Sequence, residues 1–226
     1  MYIIVWAMFV LYAFLLAPGA SAANDLLFKN LITGNFQQVD PLVVMVFSFL
    51  GLFPVLFLVM ICKKDTYKLP GWPFSLLSFG LGAFSLLFYY HWKGQKVRTR
   101  SRISSRFIAI ISSRLWIGLC LALTIAGYVY GLSIGSIRAY GDAFMQSQLV
   151  SVMTADFFVL TWLSYSVMTK ERIASRPYLL LCFIPVAGPF LFCYCITAKI
   201  FEKKNFNKSL AFHSLFRYNH FLYDES

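Results

Sequence analysis

Few residues in this chain could do chemistry in an apolar setting, and Asp156 is foremost among them. It lies in VMTADFFVLTWLSYSVMTKER, residues 152–172, where the other side chains largely suit lipid. A charge inside a membrane span is expensive unless it is paired, hydrated or close to the interface, so this carboxylate marks either ion handling or a structural bond. A helix N-terminus would favour it by about 0.3–1 kcal/mol. Arg138 or a neighbouring helix end could also satisfy it, whereas Lys170 falls at the far end of the same span. Capping or an interhelical hydrogen bond is the leading expectation for Asp156. Proton or ion handling is the alternative, with Thr154, Thr161 and Ser164 as polar neighbours.

No catalytic constellation surrounds it. The three histidines are His91, His213 and His220, and neither an HExxH helix nor a Ser-His-Asp set nor paired carboxylates can be assembled. A non-catalytic protein is expected. His91, at the end of an apolar run, could ligate a chlorophyll magnesium axially, and chlorophyll or carotenoid at a packing face is the cofactor this chemistry would admit. The five cysteines, Cys62, Cys120, Cys182, Cys193 and Cys195, lie in or beside apolar runs. Their odd number precludes full pairing, and buried free thiols are expected. Cys193 and Cys195 would point about 200° apart on a helix, which disfavours a shared metal.

The strongest electrostatic feature is KGQKVRTRSRISSR, residues 93–106. Lys93, Lys96, Arg98, Arg100, Arg102 and Arg106 stand there without an acid. Such a run next to apolar segments reads as an orientation signal and a contact for lipid headgroups, or else for an acidic partner protein. The net charge of +11 does not imply nucleic acid, because no reading motif accompanies it.

The elements that must position these groups follow from composition. With 59% hydrophobic, 19% aromatic and 13% charged residues, the chain lacks the polar surface of a soluble domain and reads as integral to a membrane. Residues 1–22 form a signal-like or retained hydrophobic segment, ending in the small-x-small sequence Ala20-Ser21-Ala22. Residues 23–41 are polar, 42–198 form the bundle, and 199–226 are a basic, aromatic tail able to lie on a surface as an amphipathic helix. Apolar runs at 42–62, 73–92, 107–130, 150–168 and 178–198 predict an all-α, polytopic bundle of about five spans. Pro41 opens the first, and Pro54 should bend it. Ser78, Gly80, Gly82 and Ser85 suggest close helix approach in the second. This arrangement divides Lys and Arg almost evenly between the two sides, against the usual bias. Either residues 1–22 are retained, or partner binding overrides the rule, or one run does not cross.

The sequences DPLVVMVFSFLGLFPVLFLVM, KLPGWPFSLLSFGLGAF, the Asp156-Phe157 pair and residues 185–189 together resemble an uncharacterised family of multi-span membrane proteins of cyanobacteria and plastids. The similarity covers about residues 40–198. A Tyr-Tyr-His end to the second run and a long basic tail depart from the family pattern. The resemblance implies a thylakoid or cyanobacterial-type membrane and other integral proteins of a photosynthetic complex as partners. The expected role is an accessory subunit or assembly factor. The alternative is a small proton- or ion-linked transporter using Asp156.

Overall fold

The computed structural model describes residues 1–19, 25–62, 65–97, 102–170, 181 and 184–198. The possible cleavage site after Ala22, residues Arg98 and Arg100, Cys182, the start of the last apolar run and the tail from 199 with His213 and His220 lie outside them. Among the described residues there is no strand beyond one isolated bridge. The helices are α1 (Tyr2–Leu11, continued by a wider turn Tyr12–Leu16), α2 (Leu26–Thr33), α3 (Pro41–Cys62), α4 (Trp72–Leu81) and α5 (Ala83–Trp92). They continue as α6 (Ser105–Ile111), α7 (Arg114–Ile134), α8 (Ile137–Gln146), α9 (Gln148–Lys170) and α10 (Ala187–Ala198). Among the described residues, three helical stretches are long and apolar enough to cross a membrane: Pro41–Cys62, Ser105–Ile134 and Gln148–Lys170.

Helix α3 forms the centre, with Phe49, Phe53, Leu56 and Phe57 fully buried. Asp40 caps it by accepting from the Leu42 amide at 2.8 Å and also accepts from the Ser136 amide at 3.0 Å. The start of α3 is thereby tied to the end of α7. At the opposite end, Val59 and Cys62 pack on Ile111, so α7 runs antiparallel to α3. The first end is termed the Asp40 end and the second the Trp92 end. Helix α3 continues through Pro54, whose own carbonyl accepts from Ser75 Oγ of α4 at 2.8 Å.

The N-terminal segment is an integral part of this packing. Tyr2 and Ser166 hydroxyls pair at 3.0 Å and those of Tyr12 and Ser151 at 2.6 Å, which fixes α1 antiparallel to α9. Phe9 is buried and stacks on Phe84 at 4.2 Å between centroids. Gln148 Nε2 donates to the Ala13 carbonyl at 3.0 Å. Deleting residues 1–22 is expected to uncover Phe84 and strip the partners from Ser151 and Ser166. Burial of one large aromatic contributes about 1.5–3 kcal/mol and each hydrogen bond about 1. A marked fall in the thermal midpoint of the detergent-solubilised chain checks this.

The run 73–92 does not cross as one helix, contrary to the reading from its length. It breaks at Gly82 and doubles back. Phe74 of α4 stacks with Tyr89 of α5 at 5.6 Å, and Ser85 Oγ donates to the Phe74 carbonyl at 2.9 Å. The strands of chain before and after the hairpin meet at the Trp92 end: the Lys68 amide donates to Gln95 and the Val97 amide to Thr66, while Tyr67 bridges Lys96. Hence α4 enters and α5 leaves at the same end.

The second half repeats the pattern. Helix α7 runs towards the Asp40 end, α8 lies there with Tyr140 hydroxyl-bonded to Thr154 at 2.6 Å, and α9 returns to the Trp92 end. Helix α10 then runs outwards beside α7: the Pro185 carbonyl accepts from Tyr128 at 2.8 Å, whereas Tyr194 carries Arg114 over its ring at 5.7 Å. The chain thus leaves α9 at the Trp92 end, is deep in the bundle by Pro185 and comes back along α10 to the end it left. The run 178–198 accordingly brings its C-terminal end to the side where α9 finishes.

Candidate site at the hairpin tip

The tip of the α4–α5 hairpin arises where the chain needs a backbone that only glycine takes readily. Gly82 has φ 51° and ψ −133°, outside the regions open to L side chains. A Cβ at this position would overlap the carboxylate of Asp156. The break also leaves the first amides of α5 without helical acceptors. Asp156 Oδ1 accepts from the Ala83 amide at 2.7 Å, and Trp6 Nε1 donates to the Phe84 carbonyl at 3.1 Å. Three elements, α1, α5 and α9, therefore converge on one non-helical point.

Asp156 is 7% exposed, and among the described residues it forms no ion pair. Of the candidates for its partner, Arg138 is exposed on α8 and Lys170 lies over the Tyr2 ring at 4.3 Å. Asp156 is the ninth residue of α9, so it stands about 12 Å from the helix start, deeper than the sequence-derived boundary at 150 implies. Thr154, Thr161 and Ser164 donate to carbonyls of their own helix, and Thr154 also pairs with the Tyr140 hydroxyl of α8, so none of them bonds to Asp156.

An aromatic layer separates this tip from the inner end of α10. Phe157 contacts Phe53 at 5.9 Å and Phe49 at 6.3 Å, and Phe49 contacts Tyr128 at 4.7 Å. Tyr128 in turn donates to Pro185. Val186, next to Pro185, is the one non-glycine residue among those described with positive φ, at 61°. Such a backbone is strained for a β-branched residue. The tip of the hairpin and the turn before α10 are each held by a polar side chain from a spanning helix, Asp156 in one case and Tyr128 in the other.

This correspondence was present in the residues and went unseen. Residues 177–196 repeat residues 73–92 at Pro73/Pro177, Leu77/Leu181, Phe79/Phe183, Ala83/Ala187, Phe88/Phe192 and Tyr90/Tyr194, which sets Gly82 against Val186. An internal comparison of the two apolar runs finds it.

The other predicted residues fall elsewhere. His91 is exposed at the outer end of α5, edge-on to Trp92 at 5.1 Å. The basic run is partly folded inwards: Lys93 Nζ sits 4.1 Å from the Tyr67 ring centre, and Lys96 Nζ 5.8 Å from it. Arg102 Nη2 donates to the Lys68 carbonyl at 2.8 Å and its Nη1 lies 3.7 Å from Asp65 Oδ1. Arg106 is exposed on α6. Of the expected close-approach residues, Ser78 and Ser85 are buried, but Gly80 faces open space. Cys62, Cys120 and Cys193 are buried and Cys195 is exposed, none of them in a disulfide, so the last two do face apart. Among the described residues no group of three His, Cys, Asp or Glu is placed to hold a metal.

Comparison of the chain with protein-family models, with curated proteins and with solved structures finds no match.

Proposed function

We propose that this chain is a small proton-linked membrane carrier in which Asp156 bears the proton. The observation that supports this reading is the carboxylate itself: it is buried among spanning helices, without a cationic partner among the described residues, and bonded to the point where a hairpin breaks. Broken helices inside a membrane concentrate at transport sites, because non-helical backbone survives there only within protein or beside a water-filled path. A carboxylate that exchanges its proton alters its bond to Ala83 and so couples protonation to the set of the hairpin.

Asp156→Asn separates this role from a structural one. The amide oxygen still accepts from Ala83, so folding and thermal midpoint are expected to stay close to those of the parent. Proton uptake into liposomes, followed with an entrapped pH dye, is expected to disappear. Equal proton flux in parent and variant removes the proposal.

A second reading, the accessory subunit or assembly factor of a photosynthetic membrane complex, rests on the resemblance to the cyanobacterial and plastid family. One feature favours it: the outer face of α7 presents Leu115, Leu119, Leu123, Leu132 and Ile134 away from the bundle, a surface able to pack on lipid or on another helix. Native-gel migration of mildly solubilised membranes tests it, and migration as a single small species counts against it.

A further inference from the structure

The likeness of the two tips extends to the halves that carry them. Helices α1, α2 and α3 precede the α4–α5 hairpin, and α7, α8 and α9 precede the turn at Pro185 and α10. In each half the first helix runs towards the Asp40 end, a short helix lies there, and a long helix returns to the Trp92 end. With Pro41 set against Gln148, every buried residue of α9 falls opposite a buried residue of α3. Val150 aligns with Val43, Leu160 with Phe53, Leu163 with Leu56, and Asp156 with Phe49.

The contacts between the halves come in matched pairs. Helix α7 lies antiparallel to α3, as α1 does to α9. Asp40 at the start of α3 accepts from the Ser136 amide at the start of α8, and Asp25 at the start of α2 accepts from the Ser147 hydroxyl at the start of α9. Within each half the first helix donates to a carbonyl at the tip, Trp6 to Phe84 and Tyr128 to Pro185. Exchanging the halves turns each contact into its counterpart and keeps α3 and α9 parallel, which is the relation of a two-fold axis along those helices. One contact has no counterpart. Asp156 of the second half reaches the amide at the first tip, whereas Phe49 offers the second tip no polar group and packs on the Tyr128 ring.

We infer that the chain is one four-part unit used twice, and that only the first tip is tied across the two-fold axis by a group able to change its charge. The α4–α5 hairpin is then the element that moves with protonation, and the turn before α10 is its fixed counterpart. The inference rests on the carrier reading for what the movement achieves, not for the movement itself. Among the described residues no second such group bonds to Asp156. Helix α1 brings Tyr2 and Tyr12, each bonded to a serine of α9. Helix α4 has no titratable side chain, α3 has only Cys62 at its far end, and α5 carries Tyr89, Tyr90 and His91 towards its outer end. Tyr165 and Lys170 of α9 lie towards the Trp92 end.

Spin-label distances in the full chain test both parts. Gly80 corresponds to Ile184 and Phe158 to Gly51 in these alignments. The two glycines have open space around them, and Phe158 and Ile184 are exposed. Nitroxides are placed at Gly80→Cys with Phe158→Cys, and at Ile184→Cys with Gly51→Cys, after replacement of the native cysteines. In the Asp156→Asn background the two distances are expected to coincide within the spread of the label at any pH. With Asp156 present, the first distance is expected to shift by about 2 Å between acid and alkaline pH while the second stays. If the cysteine-free chain fails to fold, hydrogen exchange of the unsubstituted chain decides: the peptide around Ala83 must change its protection with pH, and the one around Ala187 must not. Unequal distances in the Asn background, equal shifts at both tips, or no shift at either overturn the inference. Absence of proton flux in the parent, with the one-sided shift intact, removes the carrier reading alone.

Discussion

Gly82→Ala is expected to disable the hairpin, with a loss of roughly 2–5 kcal/mol combining backbone strain and the displaced carboxylate bond. The added methyl meets Asp156 directly, and the φ of 51° with ψ of −133° disfavours any L side chain. Asp156 cannot retreat far, because α9 is fixed on both sides of it by Ser151 and Ser166 through the hydroxyls of α1. Gly80→Ala supplies the control two residues away. A Cβ at Gly80 meets nothing within 4 Å, the position is helical, and Ala there should gain about 0.5–1 kcal/mol. Thermal unfolding of the two variants in one detergent should therefore move in opposite directions. Equal midpoints would show that the tip geometry does not constrain the chain.

The second large effect is expected at Asp65, which closes the open end of the same hairpin. Its side chain is fully buried, accepts from the Gly71 amide at 3.1 Å and faces Arg102, itself 20% exposed. Removing one partner of a buried pair leaves the other as an uncompensated charge, so Asp65→Ala should lose about 3 kcal/mol. The double variant Asp65→Ala with Arg102→Met removes both charges and should recover part of the loss. A double-mutant cycle by thermal or denaturant unfolding measures the difference. Strict additivity of the two substitutions would show that the pair is not coupled.

Much of this architecture was legible in the sequence. The span beginning at Pro41 follows from an uninterrupted apolar run, and Asp156 was conspicuous as a carboxylate inside another. The hairpin was not legible from length, because two ten-residue half-helices and one crossing helix present the same twenty apolar residues. Nor did composition distinguish Gly82 from Gly80: both lie in FGLGAF, and only the approach of α9, distant in sequence, makes one indispensable and the other replaceable. The polar stretches 23–41 and 131–148 concealed α2 and α8, whose N-caps Asp25 and Ser136 are visible in retrospect. Tyr128 escaped notice because its acceptor, Pro185, is brought to it only by the return of α10.

The bond between Asp156 and Ala83 also imposes an order on biosynthesis. The two residues are 73 positions apart, so the hairpin is made before its acceptor exists. At ordinary rates of translation the interval is about 4–15 s. At full depth during that time the Ala83 amide would have no protein acceptor from α9, a state that hydrocarbon opposes strongly. The nascent first half is therefore expected to wait, shielded by the insertion machinery or lying shallow at the interface, and to settle to full depth only when the second half arrives.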